Sequence, residues 1–218
     1  RGGAWVWVGA EGRLDLMCYA SRCSGATADA LRDAGWGMLL EPGSRPARPY
    51  PGMPWCLDNG AWGAFVNARP WEPDPFRALV SAHGGGCDWV AAPDIVAGGP
   101  ASLALSLSWL PTLLSACRLV LIPVQDGMTA DDLLPHVGPR VGLFVGGSTE
   151  WKLSSLPSWG RLARSRGVHL HVARVNTARR IRLCQDAGAH SIDGTSVSRF
   201  RVTLSKLDAA RRQEVLGV

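Results

Sequence analysis

The sequence lacks the features that mark membrane-spanning, disulfide-stabilised and disordered chains. Its longest apolar stretch, residues 103–117, is interrupted by serines and a proline and is shorter than the roughly 20 residues that a bilayer span requires. The six cysteines have no C-x-x-C spacing, which favours buried thiols in a reducing compartment over a disulfide framework or a zinc site. Only 19% of the residues are charged and 46% are hydrophobic, so a chain of 218 residues is expected to fold around a core.

Targeting and nucleotide-binding signals are also missing. Residues 1–13 show neither the apolar core nor the small-residue cleavage site of a secretory leader, so we expect a cytoplasmic protein. Because the chain starts at Arg1 rather than Met, we expect part of the N-terminus to be absent. Neither G-x-G-x-x-G nor G-x-x-x-x-G-K-[ST] occurs, and Gly84-Gly85-Gly86 is interpreted as a helix stop.

The five histidines show no metal-ligand spacing, apart from His169 and His171. We interpret these two as pointing to opposite faces of a predicted strand. The sequence therefore assigns no metal, and it indicates no cofactor.

Lysine is scarce, and positive charge is concentrated in one part of the chain. Arginine outnumbers lysine 21 to 2; residues 1–150 carry a net charge of −4 and residues 151–218 a net charge of +9. A basic sector of this kind suits a phosphate backbone, although a G+C-rich genome also favours arginine, so charge alone leaves both explanations open. The candidates for phosphate contact, whose alternative role is a solvated helix face, are Lys152, Arg161, Arg164, Arg166, Arg179, Arg180, Arg199 and Arg201.

Short apolar runs alternate with amphipathic segments along the chain. The strand candidates are residues 14–20, 37–40, 55–58, 88–94, 119–126, 141–147, 169–174 and 191–193. The predicted helices are residues 27–34, 61–67, 74–83, 102–115, 129–134, 158–166 and 177–187. Such alternation is typical of βαβ units on a parallel sheet, and eight strands predict a single α/β domain over residues 1–218, a closed (β/α)8 TIM-like barrel. An open, doubly wound sheet is the alternative.

Polar residues follow nearly every predicted strand. In a (β/α)8 barrel, active groups lie where the strands end at the carboxyl-terminal face. A single aspartate after a strand is a common turn former or helix cap. Three carboxylates at one rim, those of Asp58, Asp94 and Asp193, are instead suited to glycosyl transfer or to acid and base catalysis.

The ordered motifs at these strand ends resemble the tRNA-guanine transglycosylases. Residues 57–61 (LDNGA) are similar to that family's Asp-Ser-Gly-Gly segment, and Pro93-Asp94 to its guanine-reading aspartate. Residues 124–127 (VQDG) and 144–147 (FVGG) are similar to its Val-Gln-Gly-Gly and Ala-Val-Gly-Glu segments. The resemblance covers roughly residues 55–200 and is clearest over 169–196.

Within that superfamily the sequence is most similar to the DpdA-type branch, largely phage and bacterial proteins that place 7-deazaguanines in DNA. The motifs that carry this likeness are LDNGA, VQDG, FVGGSTEWKL and RVNTARRI. The tRNA enzymes' zinc-binding C-x-C-x-x-C and distant histidine have no counterpart, and their Asp-Cys-Val-x-Pro-Thr-Arg is replaced by residues 193–199 (DGTSVSR). Loss of the zinc-binding insertion is compatible with the smaller, DNA-acting branch.

The resemblance implies a role for each matched residue. Asp193 is the expected nucleophile at the anomeric C1′, forming a covalent sugar ester, and Asp58 is the expected general acid and then base. Asp94 is expected to accept hydrogen bonds from guanine N1–H and its 2-amino group, with Gln125 and the backbone N–H groups of Gly146 and Gly147 facing O6. From the residues alone, the favoured interpretation of Gln125 is a core-edge amide, and that of the two glycines an ordinary turn.

The partners implied are DNA and a free 7-deazaguanine base, with the 7-cyano compound as the default and no membrane, in a bacterial or phage-infected cell. Trp62, Trp71 and Trp151 are candidate helpers for extruding a nucleotide, or else packing residues. An RNA-acting enzyme of the tRNA type, a non-catalytic nucleic-acid-binding relative and a small-molecule barrel enzyme remain alternatives. The sequence leaves open whether the protein is a monomer or a homodimer.

Overall fold

Eight parallel strands close into a barrel in chain order. The computed structural model describes residues 16–43 and 47–212. The strands are β1 (Met17–Ser21), β2 (Gly37–Leu40), β3 (Trp55–Leu57), β4 (Val90–Ala91), β5 (Val120–Val124), β6 (Val141–Val145), β7 (Leu170–Val172) and β8 (Ser191–Gly194). Because β1 pairs with both β2 and β8, the sheet has no edge. The prediction of a (β/α)8 barrel is confirmed, and the open sheet is excluded.

The helices surround this barrel. They are α1 (Gly25–Asp33), α2 (Ala61–Val66), α3 (Pro73–His83), α4 (Pro100–Ala116), α5 (Ala130–Leu133), α6 (Thr149–Arg166), α7 (Ala178–Asp186), α8 (Ser196–Arg199) and α9 (Leu204–Arg212). The Gly84–Gly86 segment forms a 3₁₀ turn between α3 and β4. None of the helices within the described ranges is both long and apolar enough to cross a bilayer. All six cysteines are free thiols, five of them buried.

Most elements begin or end one to three residues from their predicted bounds, and α6 differs by more. The first predicted strand begins at residue 14, but residues 14 and 15 lie outside the described residues, and β1 begins at Met17. The helix predicted over 158–166 begins nine residues earlier, at Thr149. The Ser148 hydroxyl caps it by accepting a hydrogen bond from the Trp151 N–H, and the helix continues through Pro157 because Leu156 and Trp159 pack in the core.

The core has two layers separated by the strands. Side chains that point inward fill the barrel itself, and those that point outward pack against the helices. The inner layer contains Tyr19, Leu39, Cys56, Trp89, Ala91 and Leu121, with Met17, Leu119 and Phe144 packed against it. Because this layer blocks the barrel axis, the carboxyl-terminal rim is the part of the barrel that is open to a ligand.

Close packing of α6 on the end of α7 gives a stability prediction. A Cβ atom at Gly160 would lie 2.2 Å from the Ala187 carbonyl oxygen, so neither backbone can accommodate it without moving. Gly160→Ala is expected to lower the free energy of unfolding by about 1–3 kcal/mol, measured by chemical denaturation. Gly63→Ala in α2 is the control, because its Cβ would meet nothing within 4 Å.

The control substitution should raise stability by about 0.5–1 kcal/mol, since alanine loses less backbone entropy than glycine in a helix. A neutral Gly160→Ala variant would contradict the close approach of α6 to Ala187.

Candidate active site

The three predicted carboxylates lie at the carboxyl-terminal rim of the barrel. Asp58 follows β3 directly, Asp94 lies three residues beyond β4, and Asp193 is the third residue of β8. The negative charges of Asp94 and Asp193 both raise the pKa of Asp58. The three carboxyl groups therefore lie near enough for their charges to interact.

Asp58 has a strongly raised pKa. Burial raises its pKa to about 8, and repulsion from Glu41, Asp193 and Asp94 adds to this effect. A hydrogen bond from the Gly60 N–H to Asp58 Oδ1, 3.4 Å long, opposes the shift. A carboxylic acid that keeps its proton at neutral pH can act as a general acid.

Asp193 has one oxygen held and one oxygen free. Its Oδ1 accepts hydrogen bonds from His171 Nε2 at 3.0 Å and from the Arg174 backbone N–H at 3.2 Å. Its Oδ2 receives no hydrogen bond from residues 16–43 or 47–212. The side chain is 6% exposed and belongs to a strand, so a free carboxylate oxygen is presented from a rigid position.

Asp94 is oriented by Asn59, a buried residue. The Asn59 amide nitrogen donates to the Ala92 carbonyl at 2.6 Å and to Asp94 Oδ1 at 2.8 Å, and its oxygen accepts the Ala61 N–H at 2.7 Å. Burial raises the pKa of Asp94, and the bond from Asn59 opposes this shift. Asn59 therefore fixes one oxygen of Asp94, and the other oxygen accepts no hydrogen bond from residues 16–43 or 47–212.

The residues expected to face O6 of the base are engaged elsewhere in the protein. Gln125 Nε2 donates to the Ile95 carbonyl at 2.8 Å and to Ser102 Oγ at 2.7 Å, which holds the loop before α4 and matches the core-edge alternative. The Gly146 N–H donates to the Val124 carbonyl at 2.9 Å. The expectation that Gln125 and the Gly146 N–H donate to O6 is therefore wrong for this conformation, because their hydrogens are already used.

Gly147 adopts a conformation that only glycine takes easily, with φ of +71°. A Cβ atom there would lie 2.6 Å from Asp126 Oδ2 and 2.8 Å from the Trp151 ring. The Gly147 carbonyl accepts a hydrogen bond from the Arg174 guanidinium. The turn after β6 is thus tied to the end of β7.

Sequence reasoning missed Glu41 and Arg174. Glu41 follows β2 directly, and its charge is the largest electrostatic contribution to the raised pKa of Asp58. Its position directly after an apolar run was the available signal, although the prolines that follow it favour a loop. Arg174 has φ of +59°, unusual for a residue with a side chain, and its guanidinium lies 4.1 Å from the centre of the Trp62 ring.

The interpretation of His169 and His171 is wrong. Residues two apart in a strand point to the same face, and both side chains contact Ser191 Oγ inside the barrel. Within residues 16–43 and 47–212, no group of three or more His, Cys, Asp or Glu side chains is arranged to hold a metal ion.

Lys152 is not a surface contact for phosphate. It is 2% exposed, and its ammonium group donates to the Ala173 carbonyl. Burial, followed by repulsion from Arg174, lowers the pKa of Lys152 to about 8. Lys152 therefore binds inside the protein to the peptide between Ala173 and Arg174, and the N–H of the same peptide donates to Asp193.

The predicted arginines are divided between the two ends of the barrel. Helices run antiparallel to the strands, so Arg179 and Arg180 in the first turn of α7 lie at the rim. Arg199 and Arg201 follow β8 and lie there too. The C-terminal half of α6 carries Arg161, Arg164 and Arg166 and lies towards the opposite end of the barrel. The prediction that these three arginines contact the same phosphate backbone as the rim arginines is therefore corrected.

The three candidate tryptophans also differ. Trp62 is 46% exposed, lies at the rim on α2 and stacks with Arg174 and Phe65. Trp71 donates its Nε1–H to the Asn59 carbonyl at 2.8 Å and packs against Trp109. Trp151 packs against Trp159. Trp62 is therefore the most exposed of the three candidates.

Comparison with known proteins identifies the fold. No family model and no curated protein sequence matches the chain. Among solved structures, the HpcH/HpaI aldolase from Desulfitobacterium hafniense DCB-2 matches with a TM-score of 0.54 and 9% identity, covering 94% of this chain and 96% of that chain. Tryptophan synthase from M. tuberculosis matches with a TM-score of 0.51 and 15% identity, covering 91% and 90%.

RipC from Yersinia pestis matches with a TM-score of 0.56 and 10% identity, covering 93% of this chain and 97% of that chain. At these identities the likeness shows the fold alone. The chain is a (β/α)8-barrel protein whose structural neighbours include enzymes, and the comparisons leave its reaction undetermined.

Proposed function

We propose that this protein is a DNA-guanine transglycosylase that exchanges guanine in DNA for a 7-deazaguanine. The observation that carries the proposal is that two carboxyl groups with different surroundings lie at one rim of the barrel. Asp58 keeps a proton at neutral pH, and Asp193 presents an oxygen with no partner among the described residues. Two carboxyl groups with unequal environments are suited to acid catalysis and nucleophilic attack at a glycosidic bond.

The reaction proceeds in two steps that share one covalent ester. Asp193 Oδ2 attacks C1′ while the bond from C1′ to guanine N9 breaks, and Asp58 gives its proton to the departing guanine. The incoming base then loses its N9 proton to Asp58 and attacks C1′, which releases the Asp193 carboxylate. Two displacements at C1′ retain the configuration of the sugar.

Asp94 supports selection of guanine. Its free oxygen can accept hydrogen bonds from guanine N1–H and the 2-amino group, a donor pair that adenine lacks. A site built around buried acceptors rejects a base that leaves them unpaired. The bond from Asn59 holds Asp94 in one orientation, which strengthens that discrimination.

The rim supports DNA as the substrate that carries the guanine. Arg179, Arg199 and Arg201 are exposed there and can contact phosphates, and Trp62 offers a face for stacking. Extruding a paired nucleotide costs a few kcal/mol, which such contacts can offset.

The test is an exchange assay with the purified protein. Duplex DNA and labelled 7-cyano-7-deazaguanine should give labelled DNA, and DNA without the incoming base should give a denaturant-resistant protein–DNA adduct. Exchange into transfer RNA but not DNA would favour the RNA-acting alternative. Retention of DNA with neither exchange nor adduct would identify a non-catalytic binding relative and overturn the proposal.

Glu41 sets the pH dependence of the acid step. Its charge raises the pKa of Asp58, so Glu41→Gln is expected to lower that pKa below about 8. The rate of guanine release should therefore begin to fall at a lower pH in the variant than in the wild type. The pH profile of single-turnover guanine release measures this change. Glu150→Gln, which removes an exposed charge from the first turn of α6, is the matched control.

In the control variant, the rate of guanine release should fall at the same alkaline pH as in the wild type. If guanine release by the wild type falls at alkaline pH and release by Glu41→Gln falls at the same pH, then Asp58 does not titrate beside Glu41.

A further inference from the structure

A chain of hydrogen bonds runs through the barrel interior to Asp193. His169 Nε2 lies 2.7 Å from Ser191 Oγ, and the same oxygen lies 2.8 Å from His171 Nδ1. His171 Nε2 lies 3.0 Å from Asp193 Oδ1. Ser191 and His171 are fully buried, so solvent does not compete for these bonds. The two-step exchange described above gives this chain no role.

The direction of each bond follows from the chemistry of its groups. Burial lowers the pKa of His171, so its ring is neutral and carries one N–H. A carboxylate only accepts, which places that hydrogen on Nε2 facing Asp193. His171 Nδ1 must then accept the Ser191 hydroxyl, whose oxygen in turn accepts from His169.

The His171 ring is fixed in place and cannot act as the general base. It stacks on Phe144, with ring centres 4.8 Å apart and planes 24° from parallel, and its centre lies 4.4 Å from that of Trp89. Both of its nitrogens have partners, so neither can take a proton from a substrate. His171 acts through Asp193.

We propose that His171, whose Nδ1 accepts the Ser191 hydroxyl, is a positioning residue that makes Asp193 a good leaving group from the covalent sugar ester. The inference rests on the proposed function. When Oδ2 bonds to C1′, Oδ1 becomes the carbonyl oxygen of a neutral ester. An N–H donor binds an ionised oxygen more strongly than a neutral one.

The hydrogen bond therefore stabilises the free carboxylate more than the ester. It speeds breakdown of the ester by the incoming base and slows its formation. The Arg174 N–H, which binds the same oxygen, acts in the same direction. An enzyme built in this way does not stall as a covalent adduct on its substrate DNA.

The experiment measures decay of the adduct separately from its formation. Adduct formed on guanine-containing DNA is chased with 7-cyano-7-deazaguanine, and His171→Leu, which removes the donor, should slow decay about fivefold to tenfold. The fraction of enzyme held as adduct at steady state should rise. His171→Gln, whose amide nitrogen can replace the Nε2 donor, should restore decay towards the wild-type rate.

Tyr19→Phe is the matched control. It removes another polar contact from the barrel interior, the 2.7 Å bond from the Tyr19 hydroxyl to Asp88 Oδ2, without touching Asp193. Its adduct should decay at the wild-type rate. Ser191→Ala leaves the His171 ring but removes one of the two hydrogen bonds that hold it against Asp193. This variant should therefore also slow decay, and it decides the matter if His171→Leu does not fold.

Unchanged decay in folded His171→Leu, or a parallel fall in formation and decay without adduct accumulation, would overturn this inference alone. Absence of any adduct from the wild-type protein would overturn the proposed function as well.

Discussion

Asp193→Asn is expected to abolish base exchange, with a loss of about 10⁴-fold or more. The substitution keeps the shape of the side chain and an oxygen that can accept from His171 and the Arg174 N–H. It replaces the free carboxylate oxygen by an amide nitrogen, whose lone pair is delocalised and does not attack C1′. Without a nucleophile the covalent ester cannot form.

Four measurements on Asp193→Asn separate catalysis from binding and folding. Exchange of labelled base and the protein–DNA adduct should both disappear, whereas retention of DNA and the unfolding transition should stay near those of the wild type. Asp186→Asn, which removes an exposed carboxylate at the far end of α7, should keep full exchange. Exchange by Asp193→Asn at even a few per cent of the wild-type rate would assign the nucleophile to another residue.

Asp58→Asn is expected to slow guanine release about 10²- to 10⁴-fold, the usual contribution of a positioned general acid. The amide retains the shape of the side chain but has no proton to give to the departing base. The loss should appear in single-turnover release of guanine from DNA. A variant that releases guanine at the wild-type rate and with the wild-type pH profile would remove Asp58 from the reaction.

The same variant should lose less stability than the wild type as the pH rises from 4 to 8.5. The native pKa of Asp58, about 8, lies above its unfolded value, so the native state alone binds this proton at pH 5 to 8. That contribution to stability is fully present below about pH 4 and is lost as the pH rises through 8. The effect of Asp58→Asn on the free energy of unfolding should therefore be about 1–3 kcal/mol more favourable at pH 8.5 than at pH 4. This range allows for solvent screening, because the side chain is only half-buried.

Local sequence patterns were sufficient to predict the barrel and the rim positions of three aspartates. Apolar runs alternating with amphipathic segments report βαβ units, and a carboxylate directly after such a run lies at a strand end wherever the strand is placed. Asp58, Asp94 and Asp193 were therefore identified as rim residues without coordinates. Asn59 and Gly147 were quoted in the same motifs, although the bonds that fix them were not predictable.

The ends and faces of helices were much harder to predict. The start of α6 depends on a cap from Ser148 and on burial of Trp159 beyond Pro157, and both are tertiary effects. Lys152 was taken for a surface cation because it lies beside Trp151 in a polar stretch, yet its side chain points into the core. Arg161 and Arg179 have similar local sequences but lie towards opposite ends of the barrel, since position along a helix decides the end.

The sequence by itself determined the architecture and which carboxyl groups reach the rim, because periodicity and strand ends are properties of consecutive residues. Tertiary structure alone decided the state of those groups. The pKa of Asp58 depends on Glu41, a residue seventeen positions away in sequence, and the free oxygen of Asp193 depends on His171 in a neighbouring strand. Charge repulsion and hydrogen bonding act through space, so their partners become known only when the barrel closes.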